Sequence, residues 1–333
     1  MIALMNHFTR PPGLRALKRV AFAGLVWLEA CAGAALAQQA YPSQPVRIIV
    51  PFGAGSVTDS LARIIADRLS QVWKQPVVVE NRPGPPGIIA VAKGPTDGYT
   101  IMLTSNGHVI ANVINKNVNF DPVGDFAGIT RVVEAPFVMI ATPGLPAKTL
   151  PEFIALAKQE PGKYNFSSAG VASTSFLMAE TLRQAAAIDI VHVPFKGTPE
   201  AVTAVLRGDV AFYMSPVPDS VEQAKAGNVR MFAITSAQRH KQLPDLPTIA
   251  EAVPTFKYEA WFGLLAPAGA PRDIVAKISA DTRAVLAMPD VVERLATLGA
   301  IASPNSPAEF DAQIKADAAK YAAVLKAAGL EGN

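Results

Sequence analysis

An α/β protein of two lobes, with a ligand cleft between them, is what this sequence predicts. Short apolar runs alternate with amphipathic stretches of helical spacing from Tyr41 onward. The alternation restarts after Thr142 and ends in three helical stretches with little strand. Three loops, Phe52–Asp59, Ser168–Thr174 and Lys196–Thr198, each lead straight into a helix start. A chain of 333 residues, half of them hydrophobic, has room for one large or two medium domains with a substantial core.

The first 37 residues stand apart. Arg10, Arg15, Lys18 and Arg19 precede an apolar run from Val20 to Leu28, and small residues follow, ending Ala35-Leu36-Ala37. That order is the three-part pattern of a secretory signal peptide, cut after Ala37, and it predicts a periplasmic protein. The apolar run is too short to span a bilayer. Leu28-Glu29-Ala30-Cys31 resembles a lipoprotein cleavage box, but Glu29 fits it badly, so lipid anchoring at Cys31 is not expected. Of 30 basic and 27 acidic residues, the leader holds four basic ones and Glu29, which leaves 26 of each. The pI of about 8.9 therefore belongs to the leader and gives no support to nucleic-acid binding. Cys31 is the only cysteine, so the mature chain has neither disulfide nor thiol chemistry.

In chain order, Pro45–Val50 reads as a strand, the Gly-containing loop follows, and a helix runs from Ser60 to Trp73 on Leu61, Ile64, Ile65, Leu69, Val72 and Trp73. Thr58 or Asp59 is placed to cap it. Pro76–Glu80 is the next strand, and Asn81–Gly87 is a Pro/Gly loop. Tyr99–Thr104 is a strand with a polar end, Ser105 to His108, at the carboxyl edge where open parallel sheets bind ligands. Phe137–Ala141 is a further strand. Thr149-Leu150-Pro151-Glu152 is a capping box that opens the second lobe's first helix. Strands at Tyr164–Ser167, Ile190–Val193, Val210–Met214 and Val229–Ile234 alternate with helices Ser175–Ala186 and Glu200–Arg207. Trp261–Ala266 is an apolar run, and helices Arg272–Ala287, Asp290–Leu298 and Pro307–Ala328 follow. The expected division is residues 41–141 plus 265–333 for the first lobe and 142–264 for the second, with crossings near Ala141 and Gly263.

Each of the three loops offers unpaired amides and the positive end of a helix dipole. Pointed into one cleft, they can hold a carboxylate without an arginine. The candidate ligand residues are Phe52, Gly53, Ala54, Gly55, Ser56 and Asp59 in the first loop, and Ser105 and His108 at the third strand's end. The second lobe adds Ser168, Gly170, Ala172, Ser173, Lys196, Gly197, Thr198 and Ser215. Gly53 and Gly55 leave the backbone bare for close approach of a ligand oxygen. A dinucleotide reading of Gly53-x-Gly55 fails at Thr58, where Gly or Ala is needed. His108, His192 and His240 have no paired metal-ligand spacing, and no nucleophile elbow occurs. No metal, cofactor or catalytic residue is expected.

Several stretches carry a family resemblance. They are Tyr41-Pro42-Ser43-Gln44-Pro45-Val46-Arg47, Val50-Pro51-Phe52, Val78-Val79-Glu80-Asn81-Arg82-Pro83-Gly84 and Asp97-Gly98-Tyr99-Thr100. His192-Val193-Pro194-Phe195-Lys196-Gly197, Pro247-Thr248-Ile249-Ala250-Glu251, Trp261-Phe262-Gly263 and Ala266-Pro267-Ala268-Gly269 complete the set. Together they resemble the Bug family, the TctC-like solute receptors of tripartite tricarboxylate transporters. The resemblance implies a periplasmic-binding-protein fold of type II-like, Venus-flytrap form. It also implies a small carboxylate ligand, a monomer, and transient contact with membrane transporter subunits. Departures from the family's usual residues stand at Ser56, Ala172, Phe176 and Ser215, and they imply a ligand unlike the usual dicarboxylates.

Overall fold

β1 (Val46–Val50) is buried at four of its five residues, as expected of a strand inside a sheet covered on both faces. It leads through a six-residue loop into α1 (Val57–Trp73), which Ser56 caps by accepting the Asp59 amide at 3.2 Å. The computed structural model describes residues 41–327 and 329, except 116, 172, 241, 242 and 259. The expected signal peptide and Cys31 lie outside the described residues, as does Ala172.

Next come β2 (Val77–Asn81), α2 (Pro85–Ala92) and β3 (Thr100–Ser105). A 3₁₀ turn over Asn106–Ile110 continues into the short α3 (Ala111–Ile114), and β4 (Phe126–Glu134) and β5 (Phe137–Ala141) follow. The second half runs α4 (Leu150–Gln159), β6 (Asn165–Ser168), α5 (Thr174–Ala185), β7 (Val191–Pro194) and α6 (Thr198–Arg207). It continues through β8 (Phe212–Pro216), α7 (Val217–Lys225), β9 (Arg230–Ile234) and α8 (Ile249–Ala252). The chain closes with β10 (Trp261–Pro267), α9 (Arg272–Leu286), α10 (Pro289–Thr297), β11 (Ile301–Ala302) and α11 (Pro307–Ala327).

Two sheets result, both in the unit that starts at Gln44. The first has the order β11-β4-β10-β3-β1-β2 and the second β7-β6-β8-β5-β9. β1 is parallel to β2 and β3, and β6 is parallel to β7 and β8. One antiparallel strand enters each parallel set: β10 beside β3, and β5 beside β8. The sheet pairing moves the expected boundaries. Phe137–Ala141 belongs to the second sheet, so the first crossing is Ala135-Pro136 rather than Ala141. Trp261–Pro267 belongs wholly to the first sheet, so the return crossing precedes Trp261. An apolar run shows that a strand is buried, but not which sheet it joins.

Two elements depart from the sequence reading. Pro85-Pro86-Gly87, expected as loop, opens α2, because proline at the first helical positions loses no hydrogen bond there. β4, for which no strand was expected, is the partner of β10 over seven positions. The C-terminal helices return to the first sheet. Trp261 Nε1 donates to Asp317 Oδ2 of α11 at 2.6 Å, and Gly263 lies against the Phe310 ring. α11 also reaches the second sheet's helix, where Gln184 Nε2 donates to Val324 O.

Candidate functional site

A cavity of about 40 Å³ lies between the two sheets. The first turn of α1 reaches it through Ser56, Val57 and Thr58, that of α5 through Ser173, Thr174 and Ser175, and that of α6 through Thr198. Amides in a helix's first turn have no acceptor inside the helix, so all three ends can direct free N–H groups and positive dipole ends into this space. Rings of Phe52, Phe137, Tyr213 and Phe262 complete most of the wall, together with Ala169 and Ser105. No ionisable side chain other than the Tyr213 phenol appears in it.

Both cap hydroxyls accept from a backbone amide of their own helix. Ser56 Oγ accepts from Asp59 N, and Ser173 Oγ accepts from Phe176 N at 3.2 Å while lying 3.0 Å from Ser175 Oγ. Ala169 N donates to Ser175 Oγ at 3.1 Å, which folds the β6–α5 loop back onto its own helix. Tyr213 OH donates to Thr198 Oγ1 at 3.3 Å, and burial pushes the phenol up to about 12. Ser105 Oγ is 1 % exposed and has no hydrogen-bond partner in the protein. A buried hydroxyl of this kind carries a desolvation cost that a ligand oxygen would relieve.

The sequence-predicted residues divide. Phe52, Ser56, Ser105, Ser173 and Thr198 come together on the cavity wall. Gly53, Ala54 and Gly55 do not, and the Gly55 amide is already engaged, donating to Asp59 Oδ2 at 3.0 Å. Gly55 sits at φ +78°, so its glycine is required by backbone conformation rather than by close ligand approach. Asp59 stands behind the loop. Its carboxylate also accepts from Asn81 Nδ2 at 3.0 Å and from Arg63, and Asn81 in turn donates to Phe52 O at 3.2 Å. Burial pushes the Asp59 carboxyl up, but Arg63, the Gly55 amide and Asn81 outweigh it and hold the group below its usual range.

His108 is buried away from the cavity, with Nε2 donating to Pro122 O at 2.9 Å and its ring against Phe120 and Phe126. Burial pulls it down to about 4. Ser168 Oγ lies 3.1 Å from Gly170 O and 2.7 Å from His192 Nε2, so it serves the loop, and Gly170 with it. His192 packs on Phe166 and Phe176 and is also brought down to about 4 by burial. Lys196 and Gly197 lie outside the wall, with the Lys196 amide donating to Glu200 Oε2 at 3.2 Å. Ser215 is fully buried in β8 and does not line the cavity.

Val57, Thr58, Phe137, Ala169, Thr174, Ser175, Tyr213 and Phe262 line the cavity and were not predicted. The first-turn residues among them could have been found by extending the capping argument one turn into each helix. A hydrogen-bonded triad beside the cavity had no signal in the sequence. Asn106 Nδ2 donates to Tyr258 OH at 2.7 Å, Tyr258 OH to Thr174 O at 3.3 Å, and Thr174 Oγ1 to Asn106 Oδ1 at 3.1 Å. It ties the end of β3, the return crossing and the start of α5 together. Among the described residues no group of three His, Cys, Asp or Glu could hold a metal ion.

Comparison with known proteins adds four findings. Residues 61–330 match the model of the tripartite tricarboxylate transporter family receptor. The BugT protein of Bordetella pertussis is 33 % identical over 321 residues, covering 93 % of this chain and 97 % of that one. An R. palustris protein solved with adipate superposes with a TM-score of 0.81 at 32 % identity, covering 88 % of this chain and all of that one. The MatC protein of Rhodopseudomonas palustris, solved with bound malate, gives 0.78 at 30 % identity, covering 86 % and 100 %.

Proposed function

This chain belongs to the tripartite tricarboxylate transporter family of receptors, and from that premise we propose that it captures a small carboxylate in the periplasm and delivers it to membrane transporter subunits. It is a solute receptor, not an enzyme. The observation that carries the ligand class is the convergence of three helix starts on one cavity with no cationic side chain in its wall. Such a site recognises an anion through amides and hydroxyls fixed in advance, and in a closed cleft these interactions are strong. The relatives solved with adipate and malate support the same class.

Capture proceeds by closure. The direct crossing is only Ala135-Pro136. Small rotations there and before Trp261 would separate α1 from α5 and α6, admit the ligand, and bring the three helix starts back onto it. A neutral mature chain gives little long-range steering, so affinity comes from the cleft itself. No helix among the described residues is long and apolar enough to cross a membrane. The export signal in residues 1–37 supports the periplasmic placement, and the receptor acts there as a monomer. Mass spectrometry of small molecules released by denaturing protein purified from a periplasmic extract tests the proposal. A carboxylate in stoichiometric amount supports it; an uncharged sugar or a cation overturns it.

A further inference from the structure

The cavity wall divides by chemistry. Its anion-holding groups are the first-turn amides and cap hydroxyls of α1 and α5. α6 offers less, because Pro199 removes one first-turn amide and Thr198 Oγ1 already accepts from Tyr213. Next to the crossings the wall is aromatic. Phe137 opens β5 directly after the Ala135-Pro136 crossing, and Phe262 pairs with Ser105 in the β10–β3 ladder. Ser105 Oγ, buried and unpartnered among the described residues, is a polar group on the wall beside these two rings.

Two helix starts on one cavity wall can supply the donors for the two oxygens of one carboxylate. A second carboxylate is left the Phe137 and Phe262 rings, the Ser105 hydroxyl and the α6 start weakened by Pro199, with no cation within the wall. Burying an ionised carboxylate that way is among the costliest events in a protein interior. The space between the helix starts is about 40 Å³ in this state, and a compact body fills it with the least movement of the lobes.

We infer that this cleft takes a compact monocarboxylate whose uncharged, apolar body rests on Phe137 and Phe262. The inference rests on the carboxylate-receptor reading above and names the substrate class of that same site. It sets this chain apart from the relatives solved with adipate and malate, each of which carries two carboxylates.

Matched pairs isolate the second carboxylate. The full protein, freed of bound ligand by reversible denaturation and dialysis, is titrated calorimetrically at pH 7.5 with butyrate against succinate, hexanoate against adipate, and benzoate against terephthalate. The expected result is at least tenfold tighter binding of the monocarboxylate in each pair that binds, with butyrate tighter than hexanoate. Succinate, adipate or terephthalate binding as tightly as its partner overturns the inference and leaves the carboxylate receptor standing. Absence of heat from all six overturns the inference. The molecule identified by mass spectrometry then decides whether the carboxylate reading falls with it.

Discussion

Asp59→Asn tests how the first loop is built. Asp59 is 4 % exposed and lies behind the cavity wall, so the change removes no direct ligand contact. It does remove the charge that holds Gly55, Asn81 and Arg63 around the loop. A hydrogen bond to a charged group contributes about 1.5–3 kcal/mol, and asparagine cannot accept on both of its terminal atoms. The Arg63 side chain is 55 % exposed, so its ion pair adds only about 0.5 kcal/mol. Together the loss is about 2–3.5 kcal/mol of loop preorganisation. If the loop must be ordered to present Ser56 and the α1 amides, affinity falls roughly 30- to 350-fold. Calorimetry with the recovered ligand reads it, and a melting curve checks that the fold survives. Binding within threefold of the parent would refute the reasoning, because the Phe52–Ser56 backbone would then hold its shape without the buried carboxylate.

Three further outcomes follow from the same geometry. Ser105→Ala should leave the melting temperature of the free protein unchanged or higher in a thermal melt, since it deletes a buried hydroxyl that has no partner. Gly263→Ala should lower stability to urea by about 1–3 kcal/mol, because a Cβ there runs into the fully buried Phe310 ring. Stability should fall as pH drops from 6.5 towards 4. Burial keeps His108 and His192 neutral down to about 4, while in the unfolded chain both take up protons near 6.5. In that window the unfolded state binds more protons, so the slope reaches at most about 2.7 kcal/mol per pH unit for the two. His192→Phe should halve it in urea titrations at pH 7 and 5, and an unchanged slope would count against the buried neutral pair.

Much of the architecture was legible because it is local. Val46–Val50 reads as a buried strand from its apolar run, and the helix after it reads from its apolar spacing, although Ser56 caps it rather than the expected Thr58 or Asp59. Thr149 and Ser306 cap their helices through Glu152 and Glu309, as their spacing requires. What was not legible is long-range. Phe137–Ala141 looks like any central strand, and only pairing with β8 and β9 assigns it to the second sheet. The same limit applies to the site. The loops holding Ser56, Ser173 and Thr198 read as lead-ins to helices, though their caps are Ser56, Ser173 and Gly197 rather than the expected Thr58 or Asp59 and Thr198, whereas Phe137, Tyr213 and Phe262 become cavity wall only when the two sheets are brought together. Lys196 drew attention as a loop cation, yet it stands outside the wall, and Asp59 proved to face its own loop rather than the cavity.

The central claim is that helix-start amides from both lobes, and no cationic side chain, hold the ligand's carboxylate. The position of that carboxylate in crystals grown with the recovered ligand tests it most directly. The account predicts one oxygen within about 3 Å of the Val57 or Thr58 amide and the other within about 3 Å of the Thr174 or Ser175 amide. A carboxylate paired with the Lys196 ammonium, away from both helix starts, would contradict it.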